Sequence, residues 1–595
     1  MSQQAANSDA LSDLETRLVD EVSLDEPWAL LEEFADLTRV SGSEDEFAAA
    51  DYLCERLDAL GVDYDRHEPD LYISQPHGAE IRTLNKSFEP GPVKTVSFSA
   101  STTVSGEVVY VGSAGGDLLD STDDPREPYH DVDAADVEGK IALTAAGSLS
   151  IRASAILEAK GAIGVIAIHQ HDREPHNGIA TSIWGGAPRY DERDQIPSVP
   201  IANVNKPDGE TLREWAESDE GLELELSTDL TTGFMPCPIV VAEVEGEAAP
   251  DNDDFVLLHG HYDSWYVGIT DNATGDAGLL ESARVFSEHA DELERNLRVA
   301  WWPGHSTGRY AGSTWYADEF AHDLAEHCVA QVNMDSPGAK DSTEYTDMSC
   351  WCPEAHGLVG DAIEDIADAP YGEHAPHRAG DYSFDNLGIT GFFMLSSNIP
   401  PAEREERGYH PVGGCGGNSD AWHVSTDTLD KAGEDELLRD IRVYVTSVAR
   451  VLNADVLPFD HARNARKLRE AVEGYADVAG EQFDFSPTLD ALDSLEADLE
   501  AFQEAAHAGD IDANEANETI TKLSRVLTRL YLVERGQFQQ DPAVSRQPFP
   551  RYSVARKYDF ETGEDAKFVG VQLKREQNTV VQELKRAAAL LPEAN

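Results

Sequence analysis

Two histidines and three aspartates in the middle of this chain are placed where a metal centre would need them. His261 and Asp263 follow the run DFVLLHG, and Asp271 comes ten residues after His261, at the opening of a helix-like run. His305 and Ser306 follow AWWPG, Asp335 follows VAQVNM, and His423 lies in NSDAWHVSTDTLD. Imidazole nitrogen and carboxylate oxygen are the donors a zinc-type ion takes. A carboxylate shared between two such ions holds them about 3.5–4 Å apart. Singly, each residue has a plainer reading: a histidine satisfied in the core, or an aspartate capping a helix. Together, each follows an apolar run, and open α/β sheets build their sites just beyond the carboxyl ends of strands.

The stretch WWPGHSTGRYAGS, residues 301–313, carries a second chemistry. Gly304-His305-Ser306-Thr307-Gly308 fits G-x-S-x-G, the turn that presents a serine nucleophile in many α/β hydrolases. Ser306 is followed by acids and then by His423, the chain order of a triad. That reading leaves His261, Asp263, Asp271 and Asp335 without a purpose.

The elements that must position these residues follow from periodicity. Residues 26–61 read as two amphipathic helices, with Ser43 and Glu46 spaced as a capping box and Gly61 as the stop. From about 96 to 230 the texture turns to short β runs with Gly and Asp punctuation. GEVVYVG and GKIALTAAG read as strands, AILEAKGAIGVIAIHQ as helix then strand, and IPSVPIANV as a Pro-bounded loop. CPIVVAEVEG, DFVLLHGHYDSW, RVAWWPG, HCVAQVNMDSPG and ITGFFMLSS then alternate with helices. This predicts an α/β fold with a mostly parallel mixed sheet flanked by helices. Residues 456–595 are helical in period throughout. The domains read as 26–95 and 236–455 for the catalytic unit, 96–235 for a β-rich insertion, and 456–595 for a helical unit.

Composition bounds the partners. The chain has 595 residues and 45 Lys+Arg against 113 Asp+Glu, a formal charge of -68, with only 13 lysines among the cations. At 41% hydrophobic it has the means for a core. Such a surface repels itself in dilute buffer, and molar salt, with a Debye length of roughly 3 Å, removes the repulsion. The expectation is a halophilic archaeal protein. The charge argues against nucleic acid as a partner. No apolar run approaches the ~20 residues that span a bilayer, and the N-terminus lacks the pattern of a secretory signal. The six cysteines have no disulfide-framework spacing, and Cys350-Trp351-Cys352 is a C-x-C without a second pair. A cytoplasmic protein without a membrane partner is expected.

HYDSWYVGITDNATG, NMDSPG and WHVSTDTLD resemble the metal-site motifs of the M28 family of zinc aminopeptidases and carboxypeptidases. The first motif is most similar to the glutamate carboxypeptidase II and transferrin receptor branch. That branch has a protease-associated (PA) domain inserted in the catalytic domain and a helical dimerisation domain, and GKIALTAAG…AILEAKGAIGVI is similar to PA sequence. The resemblance implies zinc, in one or two ions, on His261, Asp271, Asp335 and His423. Asp271 would bridge, and Asp263 would orient His261 from behind. His410, in GYHPVGG, competes for the last place, and the W-H-x-x-x-D-T pattern favours His423. The implied activity is removal of a terminal residue from a peptide or amino-acid amide by a homodimer. Side-chain preference is expected to lie in loops such as YGEHAPHRAGDYSFDN, residues 371–386, with Arg378 or Tyr382 facing substrate. The family carries two adjacent glutamates where this chain has His305-Ser306. His305 then acts as the general base, replaces the missing ligand, or marks a site that has become a binding module.

Overall fold

The structure is a computed structural model. It describes residues 11–112, 135–145, 151–169, 172–183, 185, 188–346, 350–373, 380–381, 383–393, 397–407, 421–543 and 547–592.

One six-stranded sheet carries the candidate ligands. Its order is Asp63–His67, Ile239–Val244, Asn296–Trp302, Phe255–His261, Cys328–Asn333, Gly391–Phe392. The Phe255–His261 strand runs parallel to both of its neighbours, while Ile239–Val244 is antiparallel to both of its own. Its seven residues are all buried, as are those of Cys328–Asn333. Continuous apolar runs of this kind belong to strands covered on both faces. On one face Leu258, Val299, Trp301 and Val332 share a core with helices Asp25–Phe34, Glu44–Leu60, Thr274–Glu288 and Glu434–Leu452. On the other, Leu257, Ala300 and Trp302 pack with Tyr316, Leu324 and Phe384.

A seven-stranded sheet forms the second layer system, in the order Asp70–Thr83, Glu223–Pro236, Thr103–Tyr110, Ile141–Thr144, Gly164–Ile168, Ile201–Val204, Val93–Thr95. The long pair Asp70–Thr83 and Glu223–Pro236 is antiparallel along its length. It reaches back to the first sheet, where Ser74 N–H donates to the Thr307 carbonyl at 2.9 Å. The IPSVPIANV segment is not only a loop. Ile201–Val204 is a fully buried strand between two partners, and its proline, Pro200, precedes the strand, so no ladder donor is lost.

The helix Glu44–Leu60 ends at Gly61 with φ 73°, the left-handed stop. Its start is only half a capping box. Ser43 accepts from Glu46 N–H, but the Glu46 carboxylate reaches Gly42 N–H at 2.7 Å instead of Ser43. Glu46 is fully buried, and its side chain turns inward to the chain entering the helix. At the C-terminal end, helices His461–Ala479, Ser486–Ala508, Ala513–Leu532 and Gly563–Ala588 pack through Leu468, Val472, Leu495, Leu527 and Leu573. Arg525 fastens this region to the six-stranded sheet, donating to the carbonyls of Ala325, Gly388 and Cys328.

Candidate metal centre

Three parallel strands end side by side, and the candidate ligands stand just past those ends. His261 closes its strand opposite Trp302, three residues before His305, and Asp335 lies two residues beyond Asn333. His261 Nε2 is buried and has no hydrogen-bond partner among the described residues. It lies 3.2 Å from Asp271 Oδ1 and 3.9 Å from Asp335 Oδ1. The other oxygen of Asp271 is 3.0 Å from His423 Nε2, so this one carboxylate spans the two imidazoles.

The tautomer of His261 follows from its other nitrogen. Nδ1 is 3.0 Å from the Asp263 carbonyl, which accepts its proton. The Asp263 carboxylate stands farther off, at 3.7 Å, and is engaged elsewhere. It accepts from the backbone N–H of His305 at 2.9 Å and of Ser306 at 2.8 Å, pinning the turn after the neighbouring strand. A neutral His261 would therefore aim the Nε2 lone pair at two buried carboxylates. That arrangement is stable only with positive charge among them, supplied by a proton or a metal ion.

Electrostatics say the same. Burial opposes a charged His261, yet Asp271, Asp335 and Asp263 override it and push this imidazole well above its ordinary range. Burial would raise Asp271, but the adjoining imidazoles of His261 and His423 hold it below the usual carboxylate range. Burial also raises Asp335, with His261 opposing, and lowers His423 against the pull of Asp271.

Asp271 is held by what surrounds it. It lies in the irregular segment Ile269–Ala273 that leads into helix Thr274–Glu288. The Asp427 carboxylate accepts from the N–H groups of Thr270 and Asp271 and from the Thr270 hydroxyl. The Asn272 side chain donates to the carbonyls of His261 and Met334 and accepts from Ser336 N–H. One amide thus ties together the segments bearing His261, Asp271 and Asp335. Gly275 permits this, since a Cβ there would stand 2.3 Å from the Asn272 side-chain oxygen.

His305 joins the cluster from the next strand. Its ring stacks on His261 with centroids 3.7 Å apart and planes 16° apart. Its Nδ1 is 2.7 Å from Asp381, a buried carboxylate that also accepts from Ser313 Oγ. Ligand atoms of His261, His305 and Asp335 all lie within 4.8 Å of one another. Among the described residues the buried Ser306 Oγ has no hydrogen-bond partner, and no described imidazole is placed to activate it.

His423 is held partly by the seven-stranded unit. Its backbone is left-handed, with φ 59°, and its ring stacks on Trp422 at 3.5 Å. His176 packs edge-on against Trp422, and Asn177 N–H donates to the His423 carbonyl at 3.4 Å. Glu174 accepts from Ser425 through both N–H and Oγ, and from Tyr266 OH, while pairing with Lys94.

Sequence reasoning did not name Asp381, Asn272 or Glu174. Asp427 is the aspartate of the W-H-x-x-x-D-T pattern, and only the fold reveals that it grips the Asp271 segment. His410, Arg378 and Tyr382 lie outside the described residues. Cys350 and Cys352 are buried, and burial pushes the Cys350 thiol up to about 12. The Cys352 sulfur accepts from Gly391 N–H.

Residues 240–447 match peptidase family M28, and residues 104–212 match the PA domain. These two stretches of the chain are thus similar to an M28 peptidase domain and a PA domain. The M28 match contains every ligand candidate above. Among relatives, a probable glutamate carboxypeptidase VP8 of Zea mays is 22% identical over 339 residues, covering 54% of this chain and 45% of that protein. A probable leucine aminopeptidase 2 of Aspergillus oryzae is 26% identical over 295 residues, covering 48% and 53%. The chain thus spans about half the length of the curated relatives it matches. Among solved structures, an aminopeptidase from Aneurinibacillus sp. strain AM-1 has a TM-score of 0.55 at 21% identity, covering 73% of this chain and 95% of that one. A zinc aminopeptidase from Bacillus subtilis gives 0.51 at 17%, covering 73% and 96%. These likenesses establish a shared fold.

Proposed function

We propose that the chain is a metal-dependent exopeptidase that hydrolyses a peptide or amide bond at the end of a peptide or amino-acid amide. One observation carries the reading: the buried His261 Nε2, with no hydrogen-bond partner among the described residues, faces the carboxylates of Asp271 and Asp335, and Asp271 continues to His423. These donors fit zinc, which accepts imidazole and carboxylate together. Ligand and reaction class rest on the M28 match and on relatives described as carboxypeptidase and aminopeptidase.

His261, Asp271, Asp335 and His423 would hold the ion or ion pair, with Asp271 between the two histidines. When bound, zinc acidifies water and polarises the scissile carbonyl. The protein's part is to keep the donors fixed. Asp263 holds the His305-Ser306 turn with its carboxylate and the His261 tautomer with its carbonyl, and Asp427 and Asn272 hold Asp271. Ser306 is read as a structural residue, since no base among the described residues reaches its hydroxyl.

The test is a panel of aminoacyl and peptide substrates assayed in high salt, before and after chelation and zinc return. Cleavage that chelation abolishes and zinc restores supports the reading. Chelator-resistant cleavage overturns it. Zinc binding without cleavage of any substrate favours a binding module.

The wider reading places this protein in the cytoplasm of a halophilic archaeon, on the strength of its acidic, lysine-poor surface. Among the described residues no helix is long and apolar enough to cross a membrane. We read the domain order as catalytic unit, PA-like insertion, catalytic unit and helical unit, with the last as the dimer contact. Phe568 and Val571, one turn apart on helix Gly563–Ala588, are exposed at 68% and 50%, an apolar face suited to a second copy.

A further inference from the structure

We propose that His305 is itself a metal ligand, binding through Nε2, and that Asp381 is the carboxylate that fixes its ring. This rests on the metal-centre reading and goes beyond it by assigning this chain's own replacement for a glutamate. Three observations carry it. First, the His305 ring lies against the His261 ring, with centroids 3.7 Å apart, so His305 belongs to the same side-chain cluster, and a small rotation of either ring would turn both Nε2 atoms toward one point. Second, ligand atoms of His305, His261 and Asp335 fall within 4.8 Å of one another. A tetrahedral zinc site with bonds of about 2.0–2.1 Å has donor separations of about 3.3 Å. Small side-chain adjustments close that difference.

Third, the ring is prepared from behind. Nδ1 of His305 is 2.7 Å from Asp381 Oδ2, so this nitrogen carries the proton and Nε2 keeps its lone pair. Asp381 is fully buried, and its other oxygen accepts from Ser313 Oγ at 2.6 Å. The carboxylate–histidine–metal arrangement is the usual way a protein fixes a ligating imidazole and raises its basicity. A general base would stand off from the ion by the width of the water it deprotonates. His305 instead stacks directly on a ligand. Asp381 is a positioning residue in this scheme.

The experiment measures metal binding without turnover. Zinc affinity is determined by competition with a chromophoric chelator, and the cobalt(II)-loaded protein is compared by visible absorption. The variants are His305→Ala, His305→Glu and Asp381→Asn, each checked for folding by circular dichroism in molar salt. His305→Ala is expected to lose zinc affinity by more than about 100-fold, beyond the 10–100-fold typical of losing an outer partner. Its cobalt spectrum should change. Asp381→Asn should fall within the 10–100-fold range. His305→Glu, which restores a carboxylate donor, should recover most of the affinity. A His305→Ala protein with native zinc affinity and an unchanged cobalt spectrum overturns the assignment and leaves the metal centre standing. Wild-type protein that takes up neither metal overturns both.

Discussion

Replacing Glu174 with glutamine tests whether the seven-stranded unit holds the last ligand in place. Glu174 sits 19% exposed between the two units, accepting from Ser425 N–H at 3.2 Å, Ser425 Oγ at 2.6 Å and Tyr266 OH at 3.0 Å, and pairing with Lys94. Glutamine keeps the shape but removes the charge and turns an NH₂ toward one of these donors. A hydrogen bond to a charged group contributes about 1.5–3 kcal/mol, so a loss of about 2 kcal/mol is expected at this half-buried place. Felt wholly by the segment bearing His423, that loss lowers metal affinity by about 30-fold, at 1.4 kcal/mol per factor of ten. Competition with a chelating dye measures it. The metal-free proteins add a pH signature. Burial opposes the Glu174 charge, but Lys94 and Ser425 hold its carboxyl below the ordinary 4.5, so its contribution is present above that value and fades as pH falls through the lowered one. Burial likewise opposes the Lys94 charge, yet Glu174 and Tyr266 raise it, so its contribution is lost only as pH rises through the raised value. The thermal stability gap between wild type and Glu174→Gln should therefore be widest between roughly pH 5 and 10 and should close in acid. Unchanged zinc affinity in Glu174→Gln would refute the claim that this contact positions His423.

Ser306→Ala should retain most of the wild-type activity and metal content, and a fluorophosphonate probe should leave the wild-type protein unlabelled; labelling of Ser306 would restore the serine-hydrolase reading. Arg525→Met should destabilise the fold by about 3 kcal/mol, because four carbonyls lose a half-buried cationic donor; equilibrium unfolding in molar KCl gives the number, and a change under about 1 kcal/mol would show that the arginine is dispensable. Light scattering in molar KCl should give twice the chain mass for the wild type and a shift toward monomer for Phe568→Asp; a monomeric wild type would remove the dimer.

Much of this side-chain cluster was legible in the sequence. His261 and Asp335 stand at the ends of apolar runs that form parallel strands, which bring their carboxyl ends to one edge of a sheet, while Asp271 leads into a helix and His423 lies in a turn. Residue type then narrows the chemistry, since imidazole and carboxylate together are metal donors. The helices of the C-terminal region and the strands of the six-stranded sheet were legible for the same reason: their periodicity records which faces are buried. Composition carried the acidic surface. The Ile201–Val204 strand was obscured because Pro200, a turn signal by type, stands just outside it. The Ser43–Glu46 box was half wrong because a carboxylate with two nearby backbone donors chooses by the path of the entering chain. Asp381, Asn272 and Glu174 could not be singled out at all. Each is a common polar residue in an irregular stretch, and its importance lies in a partner far away: His305 is 76 positions from Asp381, and Ser425 is 251 from Glu174. The sequence by itself determined which donors exist and that strand ends would gather them. Only the tertiary structure decided which nitrogen of each imidazole is free to bind, because that depends on the acceptor behind the ring, and long-range packing alone brings that acceptor there.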